Sequence, residues 1–344
     1  MKLRLIGQAN YTGIGTHFGG FVRALRSARP DLDVETTDPY DLASVQAAVQ
    51  ASDDGDINIC WTAHSIPALR GRMIQWVPFE TTRIPNYIAG PLREADEIWT
   101  MTEWGAGVLR SNGFDRVAVI PQGVDRYPAA DPMDTDCMRF LMVAKYEQRK
   151  GIHEALQAWS QSLINNPRYR LVIKTHGTNG DQGYADLMVE IRHLGIENYE
   201  VYWGVMSEMD LLALYQRCQI FLAPAYAEGW GRPIMEAAAV GLPIISTDWS
   251  AHGEWLHTIR DSVRWVDHDL VPVRDRDYEL AYGPQDDWGV WAQPRVDSLA
   301  SQLSHAVMDL AELTERALAN RSVILDRFSW TQVVDQTLLR LERI

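Results

Sequence analysis

The sequence predicts an α/β protein of two domains, each built from strands alternating with helices. Three observations predict it. Short apolar runs of strand type, such as 219–223 (QIFLA) and 242–247 (LPIIST), flank glycine-containing loops and helical segments. The order strand, loop, helix opens a series twice, once at 2–7 (KLRLIG) and again at 139–144 (RFLMVA). The 344 residues suffice for two domains, each able to bury its own core.

Composition narrows the function classes. Hydrophobic content of 46% and charged content of 23% are those of a globular protein in water. No apolar run reaches the ~18 residues needed to cross a bilayer. The chain enters its first strand directly, with no signal-peptide pattern. Cys60, Cys137 and Cys218 form no C-x-x-C pair or even framework, so they read as reduced thiols and a cytoplasmic location is expected. A net charge of −14 repels phosphate backbones and anionic lipid headgroups, which argues against nonspecific nucleic-acid binding.

In chain order, the first strand leads into a loop over 8–20 (QANYTGIGTHFGG) and then a helix over 21–29. The dinucleotide fingerprint G-x-G-x-x-G is not met, because Phe18 follows Gly13 and Gly15 at the third position. The open readings are an ordinary tight turn, or a backbone that comes close to a phosphate or an acceptor. The buried-strand run 57–61 (INICW) ends beside His64, in a loop at a strand's carboxyl end, where open α/β sheets bind ligands. Glu80 reads as a solvated loop carboxylate. The segment 126–138 is rich in Pro and Asp and lacks periodicity, as expected of an interdomain linker. Two D-x-D triplets, at 134–136 and 275–277, have the form of metal-binding sequences. In an acidic chain such triplets arise by chance, and no metal site is assigned.

The second series begins with the strand 139–144, the loop 145–151 (KYEQRKG) and a helix through Trp159. Lys145 and Lys150 in that loop can offset the charge of an anionic group. Further strands are expected at 170–175 and 200–203, and a helix within 204–217. The polar stretch 267–288 has no assigned role, and 328–344 has helical spacing.

The most informative stretch is 225–249, AYAEGWGRPIMEAAAVGLPIISTDW. Pro233 suits the first turn of a helix and Gly241 the position just past its end. That places Glu236 in the first helical turn and Glu228 in the loop before it. Ionised carboxylates accept hydrogen bonds from paired hydroxyls. Gly229, Trp230 and Gly231 lead into a helix N-terminus whose free N–H groups suit phosphate. Hydroxyl acceptors beside an anion site describe a place for a sugar nucleotide, although a plain surface loop has the same spacing.

EGWGRPIMEAAAVGLPII resembles the donor-site signature of retaining glycosyltransferase family 4, E-x7-E followed by an Ala-rich helix and G-x-P-[VI]-[IV]. The resemblance implies that Glu228 contacts the donor sugar and Glu236 holds the ribose hydroxyls. It also implies that Lys145 and Lys150 face the diphosphate, that His64 touches the donor sugar, and that the backbone of Gly204 and Val205 reads the base. Two departures are visible: Ala144-Lys145 stands where the family has Gly-Arg, and Gln122 where it has Asn. The implied fold is GT-B, two Rossmann-like domains facing across a cleft. Residues 1–130 would form the acceptor side, 131–327 the nucleotide-sugar domain, and 328–344 a helix crossing back to the first domain. The implied reaction is metal-independent sugar transfer from a UDP- or GDP-linked donor with retained configuration, needing no cofactor. A sugar phosphorylase or a non-catalytic partner protein on the same fold remain the alternatives.

Overall fold

The computed structural model describes residues 2–61, 65–66, 68–130, 137–163, 165–177, 180–275, 279, 283, 285 and 287–344. They form two compact units. The first takes in 1–124, 278–289 and 327–344; the second takes in 125–277 and 290–326.

The first unit carries a six-stranded sheet in the order β2-β1-β3-β4-β5-β6, parallel throughout. Its strands are β1 (Leu3–Ile6), β2 (Val34–Thr37), β3 (Ile57–Cys60), β4 (Arg72–Trp76), β5 (Glu97–Thr100) and β6 (Val117–Val119). Strands β1, β3 and β5 are buried along their length, which is why they read as continuous apolar runs. The helices are α1 (Gly13–Ala28), α2 (Leu42–Gln50), α3 (Asn86–Glu94) and α4 (Glu103–Ser111). Helix α1 corrects the sequence reading, which kept 8–20 as a loop. Thr12 caps it by accepting the Gly15 N–H, and Phe18, Phe21, Val22 and Leu25 supply its buried face. Gly13 and Gly15 therefore lie in a first helical turn.

The second unit repeats the plan, with the sheet order β12-β11-β10-β7-β8-β9 and all pairs parallel. It runs β7 (Met138–Lys145), α5 (Ile152–Ser162), β8 (Tyr169–His176), α6 (Gly180–His193), β9 (Tyr199–Trp203) and α7 (Glu208–Gln216). Then follow β10 (Ile220–Ala223), α8 (Arg232–Val240), β11 (Ile244–Thr247), α9 (Ser250–Leu256) and β12 (Val263–Val266). Phe140, Leu156, Trp159, Ile173, Leu187, Leu222 and Leu303 meet in its core. The stretch 267–288, without a role in the sequence reading, contributes β13 (His268–Pro272), which pairs antiparallel with β14 (Val290–Pro294). Beyond β13, Gln285 and Asp287 bond to Asn86 and Arg83 of the first unit, to which they belong.

Helices α10 (Val296–Met308) and α11 (Leu310–Phe328) follow, and α12 (Trp330–Leu341) ends in the first unit. Trp330 fixes it there. A Cβ on Gly20 of α1 would lie 2.2 Å from the Trp330 ring, and one on Gly123 would lie 2.1 Å from it. The two glycines let the indole sit against backbone, where it stacks on the buried His17 at 5.8 Å.

Candidate active site

The site is built at the carboxyl ends of the strands in the second unit. Between β10 and α8 the chain 224–231 is buried throughout. Gly231 turns it into the helix from a left-handed conformation (φ 84°), and Pro233 occupies the first turn. At the far end Gly241 (φ 94°) closes a Schellman motif: its N–H bonds to Ala238 and that of Leu242 to Ala237. The helix starts at Arg232, so Glu236 is its fifth residue and begins the second turn rather than lying in the first, as the sequence reading had it.

Glu228 accepts from Lys150 Nζ at 2.6 Å and from Arg149 at 3.2 Å. Burial pushes its carboxyl up, but Lys150 and Arg149 outweigh burial and hold it below the usual range. Glu228 is thus a buried, ionised group. Its main chain is held as well: the Glu228 N–H donates to Ser250 Oγ at 2.9 Å, and its carbonyl accepts from the Ala251 N–H at 3.3 Å.

The cations come from the β7–α5 loop. Gln148–Lys150 form a 3-10 turn that ends at Gly151 in the left-handed region, φ 69°. A Cβ there would lie 1.9 Å from the Pro224 carbonyl oxygen, so only glycine lets this turn press against the β10–α8 connection that carries Glu228. Arg149 bonds at once to Glu228, to the Ala227 carbonyl at 2.8 Å and to Glu147 at 2.7 Å. Lys145 pairs with Glu147 at 3.1 Å. Glu147 is pushed up by burial, yet Arg149, Lys150 and Lys145 bring it down to about 2. The two lysines read from the sequence thus belong to one network with Glu228, and Glu147 and Arg149 were the members missed. Arg149 stood in plain view beside Lys150, but nothing in the spacing ranked it above its neighbours.

Glu236 has a different setting. Arg232, one turn before it, pairs with it at 3.1 Å, and the buried Tyr215 hydroxyl donates to it at 3.1 Å. Burial raises its carboxyl pKa, with Arg232 pulling the other way. The i,i+4 spacing of Arg232 and Glu236 could have found this pair.

Trp230 is buried, its carbonyl accepts from Trp255 Nε1 at 2.8 Å, and Gly229 is buried beside it. Gly204 (φ 105°) and the exposed Val205 line a cavity of about 600 Å³ with Trp203, Ser207, Leu214 and Arg217. His64, the triplet 134–136 and two members of the triplet 275–277 lie outside the described residues. Gly13 and Gly15 belong to the first unit. Among the described residues no group of three His, Cys, Asp or Glu is placed to hold a metal ion.

Two buried polar atoms at the carboxyl edge of the second sheet have no hydrogen-bond partner among the described residues: Thr175 Oγ1 and Thr247 Oγ1. Buried polar groups are normally satisfied, so unsatisfied ones along a sheet's ligand-binding edge fit a polar ligand.

The second unit thus holds a buried, ionised carboxylate against two cations, close to the N-terminus of α8. Residues 125–259 match the family described as glycosyl transferases group 1. The chain is 26% identical over 324 residues to glycogen synthase of Mycobacterium tuberculosis, covering 91% of this chain and 68% of that protein. It is 31% identical over 134 residues to the GDP-mannose:cellobiosyl-diphosphopolyprenol alpha-mannosyltransferase of Xanthomonas campestris, covering 38% of this chain and 34% of that one. In structure it resembles Anabaena Alr3699/HepE, solved in complex with UDP and glucose, with a TM-score of 0.74 and 14% identity over the whole of both chains. The fold is GT-B, and the match over 125–259 together with these relatives supports a glycosyltransferase enzyme.

Proposed function

We propose that the protein transfers a sugar from a UDP- or GDP-linked donor to an acceptor, with retention of configuration and without a metal ion. The observation that carries this reading is the buried Glu228 carboxylate, kept ionised by Lys150 and Arg149 next to the glycine-rich entry to α8.

In this reading the donor lies along the carboxyl edge of the second sheet. Gly204 and Val205 meet the base, and Glu236 accepts the ribose hydroxyls. Glu236 suits that task because Arg232 and Tyr215 fix its direction. The N–H groups of Gly229, Trp230 and Gly231 face the diphosphate, and Lys145 and Lys150 take up the charge that builds on it as the bond breaks. Glu228 faces the sugar, where a carboxylate stabilises the positive charge developing at the anomeric carbon. His64 would add a contact to the sugar, and the α1 entry at Gly13 and Gly15 one to the phosphates or the acceptor. Residues 1–130 would form the acceptor side, 131–327 the donor side, and 328–344 the return to the first domain. The relatives named above, one a GDP-mannose enzyme and one holding UDP, support a nucleotide-linked donor. Among the described residues no helix is long and apolar enough to cross a membrane; the proposed location is the cytoplasm.

The test is the stereochemistry of the product. With α-linked UDP- and GDP-sugars and EDTA present, proton NMR of the first-formed product should show an α-glycoside. A β-anomer, or activity that returns only on adding Mn²⁺, would overturn the reading.

A further inference from the structure

Three non-glycine residues among those described have positive φ: Ala68, Asn165 and Ser250. The first two are exposed, where a turn can relax. Ser250 is only 4% exposed and has φ 55°. An L-residue with a Cβ is disfavoured there, and glycine would adopt the same backbone at no steric cost. A strained residue that persists in a well-packed place is held by something its side chain does.

What the side chain does is visible. Ser250 Oγ accepts the Glu228 N–H at 2.9 Å, and the same oxygen lies 3.2 Å from Nδ1 of the fully buried His252. The next residue, Ala251, donates its N–H to the Glu228 carbonyl. The start of α9 therefore grips both polar groups of the Glu228 peptide backbone from a different strand–helix connection. The Lys150 and Arg149 contacts act on the carboxylate itself. Arg149 also holds the Ala227 carbonyl, whereas Ser250 and Ala251 hold the Glu228 main chain alone.

We infer that Ser250 is a positioning residue for Glu228, its hydroxyl clamping the Glu228 main chain so that the carboxylate meets the sugar at the required place. This rests on the reading of Glu228 as the group that faces the reacting sugar. Main-chain placement matters most where geometry is tightest: a shift of about 1 Å costs on the order of 10²-fold in rate. Nucleotide binding in this reading draws also on Glu236 and the loop at Gly204, which the clamp does not touch, so it is less sensitive to the clamp than turnover.

The backbone strain gives a test that separates positioning from plain structural support. Ser250→Gly removes the hydroxyl and relieves the strain together; Ser250→Ala removes the hydroxyl and keeps the strain. Turnover of the nucleotide sugar, calorimetric affinity for UDP and GDP, and melting temperature are measured for both, beside wild type and Glu228→Gln. The expected result is that Ser250→Gly melts no lower than wild type, binds nucleotide within about twofold, and loses roughly tenfold or more in kcat. Ser250→Ala should lose kcat to the same extent and melt below Ser250→Gly. Wild-type turnover in Ser250→Gly beside an inactive Glu228→Gln would sink the inference alone. A loss of nucleotide affinity as large as the loss of kcat would also overturn it, by showing general disorder of the site. Full turnover in Glu228→Gln would remove the reading of Glu228, and the inference with it.

Discussion

Lys150 Nζ lies 2.6 Å from Glu228 Oε1 across 78 residues of sequence. The pair joins two strand–helix connections, β7–α5 and β10–α8, whose strands are neighbours in the second sheet. Because strand order places β10 beside β7, residues far apart in the chain share one carboxyl edge, and the charge network follows from that topology.

The two lysines should not be equal. Lys150 touches Glu228 directly and its side chain is 15% exposed, whereas Lys145 reaches the network only through Glu147 and is 35% exposed. Lys150→Ala is expected to lose on the order of 10²-fold in kcat, and Lys145→Ala clearly less. Steady-state kinetics at saturating donor checks the ranking; equal losses would show that Lys145 meets the diphosphate as closely as Lys150.

Arg149→Ala leaves Glu147 and Glu228 buried with one cation fewer. Removing one partner of a buried pair costs about 3–5 kcal/mol, so the urea midpoint should fall sharply. Arg149→Lys should recover only part, because a single ammonium cannot reach Glu147, Glu228 and the Ala227 carbonyl together. Full recovery with lysine would contradict the forked role.

His252 gives a pH dependence with a definite sign. Burial brings its imidazole from 6.5 down to about 4, Glu228 and Asp248 opposing and Lys150 adding to the effect. Between those values the unfolded ring holds more proton than the folded one. Stability is therefore complete above about pH 6.5 and is lost as pH falls toward 4, by an amount on the order of 3 kcal/mol. Melting curves of wild type and His252→Gln between pH 7.5 and 4.5 should diverge, the variant being the flatter. Parallel curves would show that the ring titrates normally.

Gly151→Ala would place a Cβ 1.9 Å from the Pro224 oxygen and strain a φ of 69°. The turn that carries Lys150 must then move away from the β10–α8 connection that carries Glu228. Turnover is expected to drop by roughly 10²-fold, together with a lower melting temperature. Gly90→Ala, which meets nothing within 4 Å inside α3, is the control and should leave turnover unchanged and the melting temperature level or slightly higher, alanine being the better helix former.

The parts of the fold legible in sequence were those written in period and punctuation. The apolar runs at the centre of β8 and along β10 and β11 are buried on both faces, and Pro233 and Gly241 bracket α8 as their backbone chemistry requires. The start of α1 was not legible. Its glycines suggest a loop, while the helix is decided by the Thr12 cap and by Trp330, which arrives from the far end of the chain and needs the space beside Gly20. Glu228 and Lys150 could be singled out, but Arg149, Ser250 and His252 could not. Their roles come from which carbonyl or carboxylate the fold brings opposite, and no local spacing encodes that.

The most direct test of the central claim is calorimetric titration of UDP and of GDP into wild type and Glu236→Ala. A nucleotide-sugar site predicts that one of the two diphosphates binds wild type, and that Glu236→Ala, which loses the acceptor for the ribose hydroxyls, weakens it by about tenfold or more. Binding of neither nucleotide to wild type, or undiminished affinity in Glu236→Ala, would contradict it.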